Sequence, residues 1–536
     1  MSVFHPLPMN TSRSAFLRTV RVGRRGWAGN PVERSTVALG RLRRQFDVMS
    51  HPPSLLFFIR AKTLLLFLVL VAYLAPLHLS AAEKKTNVLF IMADDYRAEV
   101  STYGSRAITP NLERLAARSV QFERMYAQQA VCNPSRSSLL TGRRPDTLRI
   151  WNNSTHFRTP NPDVTTLPLW FKEHGYASRC VGKIFHNWHT AEKGDARSWS
   201  AREFLHYANH GDDAPQGSDL PEGAPMHTRL RYGAGPLCES RDVPDEAYYD
   251  GRVAAEAVRV LAEVKDQPFF LAVGFWKPHA PFNAPKKYWD LYQRSNFERF
   301  NRDRPEGAPD IAFHQSTEIL GKNADASALP LEQAAEMRHG YFANISYLDA
   351  QIGKVLGALE RHGLTERTVI VFISDHGYHI GEHHLWGKTS NFEWDARVPA
   401  LISAPSLPTA RGKTSALSEL IDLFPTLNQL CGLPVVEGLE GQSLVPILKD
   451  PKAAGKSGAF TQHPRPAYFD REPSKQPKAM GVSVRTAAVR YTEWRDWKTG
   501  EVLARELYDA LGDKAETKNR ADVPEFSVQQ REAAAL

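Results

Sequence analysis

The chain has 536 residues, of which 42% are hydrophobic and 24% charged, the proportions of an ordinary globular protein, which exclude wholesale disorder, collagen and coiled coil. At roughly 100 to 200 residues per domain the length predicts two to four domains, each able to bury a sizeable core. The 67 Lys and Arg against 59 Asp and Glu give a net charge of +8, which at face value suggests an anionic partner.

That charge sits at the N-terminus. Residues 1–50 carry nine arginines against only Glu33 and Asp47 and show no apolar periodicity, so 1–48 reads as an extension without a fold of its own. Arg60 and Lys62 precede the run TLLLFLVLVAYLAPLHL (63–79), which closes on Ser80, Ala81 and Ala82. A positive start, a short apolar core and a small-residue exit are the parts of a secretory signal peptide. The uninterrupted run 64–76 is short of the roughly 20 residues that a membrane span requires. Signal peptides rarely lie so deep in a chain, so translation is expected to start at Met49, with 49–82 as the signal peptide and a periplasmic or extracellular product. Without residues 1–82 the basic and acidic side chains number 56 and 57. Nucleic acid is therefore not an expected partner, and no stable membrane span remains after processing.

Export permits disulfides, but Cys132, Cys180, Cys238 and Cys431 are too few for a disulfide scaffold. Cys180, in SRCVG, reads as a buried thiol. Cys238 and Cys431 lie in loop-like sequence, and their pairing is open.

In chain order, apolar runs predict strands at 87–92 (NVLFIM), 268–275 (PFFLAVGF), 368–374 (TVIVFIS) and 399–403 (PALIS). Amphipathic helices are predicted at 111–118, 249–264, 337–362 and 416–431. Such alternation predicts an α/β catalytic domain, 86–450, with a mixed, mainly parallel sheet flanked by helices. The loops 187–245 and 288–329 are long and rich in Gly, Pro and charge, and loops of that length in a compact domain are usually functional. After the linker-like KDPKAAGKSG come short strand-like pieces, which predict a smaller C-terminal α+β unit over 458–536.

Four strand-like runs lead into reactive side chains: NVLFIM into Asp94 and Asp95, YASRCV (176–181) into Lys183 and His186, FFLAVGF into Lys277 and His279, and TVIVFIS into Asp375 and His376. In an open α/β sheet, ligands bind beyond the carboxyl ends of strands. Asp94, Asp95, Asp375 and His376 form a donor set of the kind Ca²⁺ or Mg²⁺ prefers, and clustered carboxylates coexist best around a cation. His379, Glu382 and His383 spell H-x-x-E-H, a zinc pattern that must lie on one helix face, whereas Gly377 and Gly381 interrupt this segment. GEHHLWGKT (381–389) falls short of a phosphate-binding loop, with five residues between its glycines and bulky side chains in the loop. Arg397 either enters the pocket or pairs with Asp395. Cys132, with Arg136 near it, reads either as a low-pKa thiolate or as a structural thiol.

Taken together, CNPSRSSLLTG (132–142) resembles the signature of type I sulfatases, C-x-P-S-R-x-x-x-x-T-G, at every fixed position. Within that family VGKIFH, FFLAVGFWKPHAPF, YFANISYLDAQIG, SDHGYHIGEHHLWGKTSNFE, TQHPRP and the tail segment SVRTAAVRYTEW are similar to the iduronate-2-sulfatase branch. Trp276, ahead of KPH, departs from it, as do the two long loops. The resemblance implies an alkaline-phosphatase-like fold and Cα-formylglycine made from Cys132 by a formylglycine-generating or sulfatase-maturating enzyme. It further implies Ca²⁺ on Asp94, Asp95, Cys132, Asp375 and His376, and a sulfated glycan or sugar as substrate. Arg136 and Lys183 would stabilise the nucleophile and Lys277 or Lys388 bind sulfate, while His279 and His186 move protons. A phosphate or phosphonate ester hydrolase of the same superfamily and a catalytically silent glycan binder are the alternatives.

Overall fold

Val88, Phe90 and Met92 point to one face of the first strand, and Leu89, Ile91 and Ala93 to the other, and all six are fully buried. This two-sided burial is seen in a computed structural model, which describes residues 85–186, 194–204, 237–321, 325–407 and 410–536. The expected extension (1–48) and signal segment (49–82) lie outside the described residues.

The main sheet contains β1 (Asn87–Asp94), β2 (Val120–Tyr126), β3 (Ala177–Gly182), β4 (Phe269–Pro278), β5 (Thr368–Ser374), β6 (Arg397–Ser403), β7 (Gly412–Thr414) and the two-residue β8 (Ser418–Glu419). Its order is β7-β2-β6-β5-β1-β4-β3, with β8 also on β2. β5, β1, β4 and β3 run parallel, Val88 lying opposite both Phe270 and Val369. β6 is antiparallel to both of its neighbours, β2 and β5, which makes the sheet mixed and mainly parallel.

The longer helices that flank the sheet are α1 (Pro110–Ala116), α2 (Cys132–Thr141), α3 (Leu167–Glu173), α4 (Tyr249–Val264), α5 (Leu331–Arg361) and α6 (Leu423–Leu430). α1, α4 and α5 cover the Leu89 face, and α2, α3 and α6 the Val88 face. A sheet covered on both faces requires strands apolar on both sides, hence the continuous runs in the sequence. Each Ile, Val or Phe so buried contributes about 1.5–3 kcal/mol.

Two helices differ from expectation. α5 begins at Leu331, a turn and a half before its expected start. The 416–431 segment becomes helical only after Glu419, first as a 3₁₀ turn (Leu420–Asp422) and then as α6 from Leu423, because Ser418 and Glu419 pair with β2 and Glu419 and Asp422 then close a capping box.

The C-terminal unit is an antiparallel meander of β9 (Ala459–Arg465), β10 (Ala479–Arg485), β11 (Val489–Asp496) and β12 (Val502–Asp509), followed by α7 (Ser527–Ala534). It docks through backbone and buried charge. Gln462 N donates to Gln128 O at 2.9 Å, and Arg465 donates to Ile311 O, Ala312 O and Thr389 O at 2.6–2.9 Å. No helix among the described residues is long and apolar enough to cross a membrane. All four cysteines are free thiols, Cys180 buried, so Cys238 and Cys431 do not pair.

Candidate active site at the carboxyl edge of the sheet

The four parallel strands β5, β1, β4 and β3 deliver polar groups to one edge. Asp375 and His376 follow β5, Asp94 closes β1 with Asp95 behind it, His279 follows β4, and Lys183 follows β3. Adjacent parallel strands bring residues remote in sequence into one crevice. Cys132 enters as the first residue of α2, whose ten residues are all buried. Pro134 is tolerated in that first turn, where N–H groups lack intrahelical partners anyway.

Cys132 Sγ lies 3.5 Å from Asp94 Oδ1, 3.5 Å from His376 Nε2 and 3.7 Å from Lys183 Nζ. Asp94, Asp95, Cys132 and His376 present donor atoms within 4.8 Å of one another, and Asp375 Oδ2 is 3.6 Å from His376 Nε2. Asp95 has a φ of +62°, a region that non-glycine residues seldom adopt. It is held there by Asp375 Oδ1, which accepts its N–H at 3.2 Å, and by Tyr341, which donates to its carbonyl at 2.7 Å.

Arg136, Lys183 and Lys388 face the carboxylates. Arg136 donates from Nε to Asp375 Oδ2 at 2.8 Å, from Nη2 to Asp94 Oδ1 at 3.2 Å and from Nη1 to Lys183 O and Ile184 O at 2.6 and 3.0 Å. Lys183 Nζ pairs with Asp94 Oδ2 and lies 4.8 Å from the centre of the Trp276 ring. Lys388 Nζ donates to both oxygens of Asp95, at 2.9 and 3.0 Å, and to Glu318 Oε1 at 2.9 Å.

Burial alone would raise the Asp94 carboxyl, but Lys183 and Arg136 outweigh it and hold it well below the usual carboxylate range. Burial lifts Asp95 to about 7 in spite of Lys388, and Asp94 adds to the rise. One carboxylate ionises here at the expense of its neighbour, a conflict that a divalent cation among these oxygens removes. The donor set therefore fits a hard cation, with the Cys132 sulfur standing where a formylglycine oxygen is expected. Burial and Asp94 push the Cys132 thiol well above its ordinary range. That environment does not make a thiolate nucleophile.

Other expected residues fall as follows. His186 is buried just beyond β3. Lys277 turns aside: its Nζ donates to Pro281 O at 2.6 Å and to Asn283 Oδ1. Arg397 approaches Glu393 at 3.7 Å, because Asp395 is held by His379 at 2.7 Å. Glu382 of the zinc-like pattern accepts from Arg97 and Arg338 at 3.0 and 2.8 Å, and His383 has a φ of +56°, so the pattern does not occupy one helix face.

Three residues at the site were not in the expected set. Trp276, noted only as a departure from the family pattern, packs on His279 with ring centres 4.9 Å apart. Glu318 lies 3.3 Å from His279 Nε2, and Tyr468 donates to Glu318 Oε2 at 2.6 Å. Only the length of the 288–329 loop pointed towards Glu318.

A family profile described as Sulfatase matches residues 86–433. The chain is 34% identical over 499 residues to the iduronate 2-sulfatase of Mus musculus, covering 79% of this chain and 87% of that protein. It is 34% identical over 483 residues to that of Homo sapiens, with coverage of 78% and 86%. Among solved structures, the phosphonate monoester hydrolase of Agrobacterium radiobacter superposes with a TM-score of 0.68 at 25% identity, covering 84% of this chain and 94% of that one. A protein solved with its substrate, D-glucosamine-2-N,6-O-disulfate, gives a TM-score of 0.65 at 21% identity, with coverage of 84% and 96%.

Proposed function

The chain belongs to the sulfatase family as a sulfuric ester hydrolase close to the iduronate 2-sulfatases, and from that premise we propose that it removes sulfate from a sulfated sugar, with iduronate 2-sulfate the first candidate. The observation that carries this reading is the Cys-x-Pro-Ser-Arg start of α2, whose Cys132 side chain meets Asp94 and His376 in a buried donor cluster. Residues 86–450 form the catalytic domain in this reading and 458–536 the C-terminal subdomain. Residues 49–82 act as a signal peptide that exports the chain, and a formylglycine-generating or sulfatase-maturating enzyme converts Cys132 to formylglycine.

Asp94, Asp95, Asp375, His376 and the modified residue 132 would hold Ca²⁺. When bound, the cation supplies Lewis-acid charge to sulfate oxygens and to the nucleophile. Formylglycine at position 132 would supply, as its hydrate, a hydroxyl nucleophile towards sulfur, and Lys183 and Lys388 neutralise the charge that builds on the sulfate. Arg136, engaged by two carboxylates and two carbonyls, positions Asp94 and Asp375. His279 gives its proton to the departing sugar oxygen. His186 is the base that takes a proton at residue 132 when sulfate leaves.

A second reading, phosphate or phosphonate ester hydrolysis, is favoured by the likeness to the Agrobacterium phosphonate hydrolase. Paired assays of 2-sulfated iduronate disaccharide, aryl sulfate and aryl phosphate decide between the two. The sulfatase reading expects both sulfates to turn over well above phosphate, and a preference for phosphate contradicts it.

A further inference from the structure

Glu318 comes from no strand end. It sits in the helical turn Thr317–Leu320, entered through Ser316, whose φ of +51° is unusual for a serine. That turn is pinned on two sides: Ser316 N donates to His314 Nδ1 at 3.0 Å, and Ser316 Oγ accepts from Trp386 N at 2.9 Å. A strained backbone persists where its surroundings over-determine it, and such places cluster at functional sites.

The Glu318 carboxylate, 17% exposed, meets three side chains from three different parts of the chain. Oε1 accepts from Lys388 Nζ at 2.9 Å and lies 3.3 Å from His279 Nε2, while Oε2 accepts from the Tyr468 hydroxyl at 2.6 Å. Tyr468 belongs to the C-terminal unit, between β9 and β10, and carries the Arg471 guanidinium 4.3 Å from its ring centre. His279 Nδ1 is 2.6 Å from Ala280 O. A carbonyl only accepts, so Nδ1 carries a proton and Nε2 is the nitrogen turned towards Glu318. Lys388 meanwhile bridges Glu318 to Asp95, so one ammonium spans the space between the nucleophile side and His279.

We infer that Glu318 is a positioning residue for departure of the sugar: it orients the His279 imidazole, Tyr468 of the C-terminal unit fixes the carboxylate that does so, and Lys388 keeps its own anchor on both Asp95 oxygens. The inference rests on the sulfatase reading above. In the step concerned the bond from sulfur to the nucleophile oxygen forms as the S–O bond to the sugar breaks, its electron pair staying on the sugar oxygen. His279 acts as the imidazolium, with Nδ1–H on Ala280 O and Nε2–H beside Glu318. Its Nε2 proton goes to the sugar oxygen, leaving the neutral ring. An aryl sulfate with a nitrophenolate-like leaving group needs no such proton, and a sugar sulfate does.

The test compares kcat/KM of wild type, Glu318→Gln and Tyr468→Phe on a sugar sulfate and on an activated aryl sulfate. Glu318→Gln is expected to lower the sugar value about 100-fold or more, the lower end of what a general acid contributes, and to leave the aryl value within about 5-fold. Tyr468→Phe is expected to show the same selectivity at about one tenth of the size, and carries the test if Glu318→Gln fails to fold. Equal losses on both substrates, or no loss on either, overturn the inference. Wild type inactive on both sulfates overturns the sulfatase reading instead.

Discussion

Arg136 Nε donates to Asp375 Oδ2 at 2.8 Å, with both side chains fully buried. The same guanidinium reaches Asp94, so one arginine, one helical turn beyond Cys132, fixes carboxylates from two adjacent strands. Arg136→Ala leaves both acids in a dry site without it, and removing one partner of a buried pair costs about 3–5 kcal/mol. Urea unfolding checks this, and an inactive variant of unchanged stability would instead put Arg136 on the substrate.

Removal of the cation is expected to destabilise the protein. With Ca²⁺ at about 100 times its dissociation constant, the folded state gains about 2.7 kcal/mol, so chelation should lower the thermal midpoint and added Ca²⁺ restore it. In Asp94→Asn that response should shrink. A midpoint indifferent to chelator and Ca²⁺ would contradict the metal assignment.

Lys277 and Lys388, both expected to bind sulfate, should separate. Burial pulls the Lys277 ammonium down to about 7, and its Nζ is engaged by Pro281 and Asn283. Lys277→Met should cost about 1–3 kcal/mol for the acceptors left unpaired and change KM for the sulfated sugar less than about 3-fold. Lys388→Met should lower kcat/KM at least about 100-fold, as loss of a charge-stabilising donor does. Similar kinetic losses in both variants would return Lys277 to the pocket.

Acid should loosen the seam between the two units. Burial works against the Glu393 carboxylate, but Arg490 and Arg485 hold it down at about 2. A depressed carboxyl contributes stability above its unfolded value near 4.5, and that stability, here on the order of 3 kcal/mol, is lost as pH falls from there towards 2. Glu516, which shares Arg490 with Glu393, is raised by burial to about 7. Its ionisation has the opposite sign, and stability falls as pH rises from about 4.5 to 7. Unfolding free energy followed against pH should have a shallower acid limb in Glu393→Gln and a shallower neutral limb in Glu516→Gln, and slopes unchanged from wild type would contradict the assignment.

The parts of the site readable from the sequence were those at the ends of short apolar runs. Asp94, Asp375 and Lys183 had to emerge together once β1, β5 and β3 were placed in parallel, because the carboxyl ends of neighbouring strands share an edge. Cys132 and Arg136 were readable through a local signature on one helix. Glu318 and Tyr468 meet across 150 positions, one from a loop and one from a tail hairpin, and no local periodicity encodes that meeting. Arg397 and Asp395 are close in sequence yet turn to different partners, Glu393 and His379. At 416–431 the apolar spacing suits a helix throughout, but the free edge of β2 captures Ser418 and Glu419 first.

The central claim is that Cys132 is the precursor of the nucleophile. Peptide mass spectrometry across residues 132–142 of active protein, made in a host that installs the modification, tests it most directly. The account predicts a peptide about 18 Da lighter than its cysteine form, as conversion of thiol to aldehyde requires. An intact Cys132 thiol throughout a protein that turns over sulfate esters would contradict it.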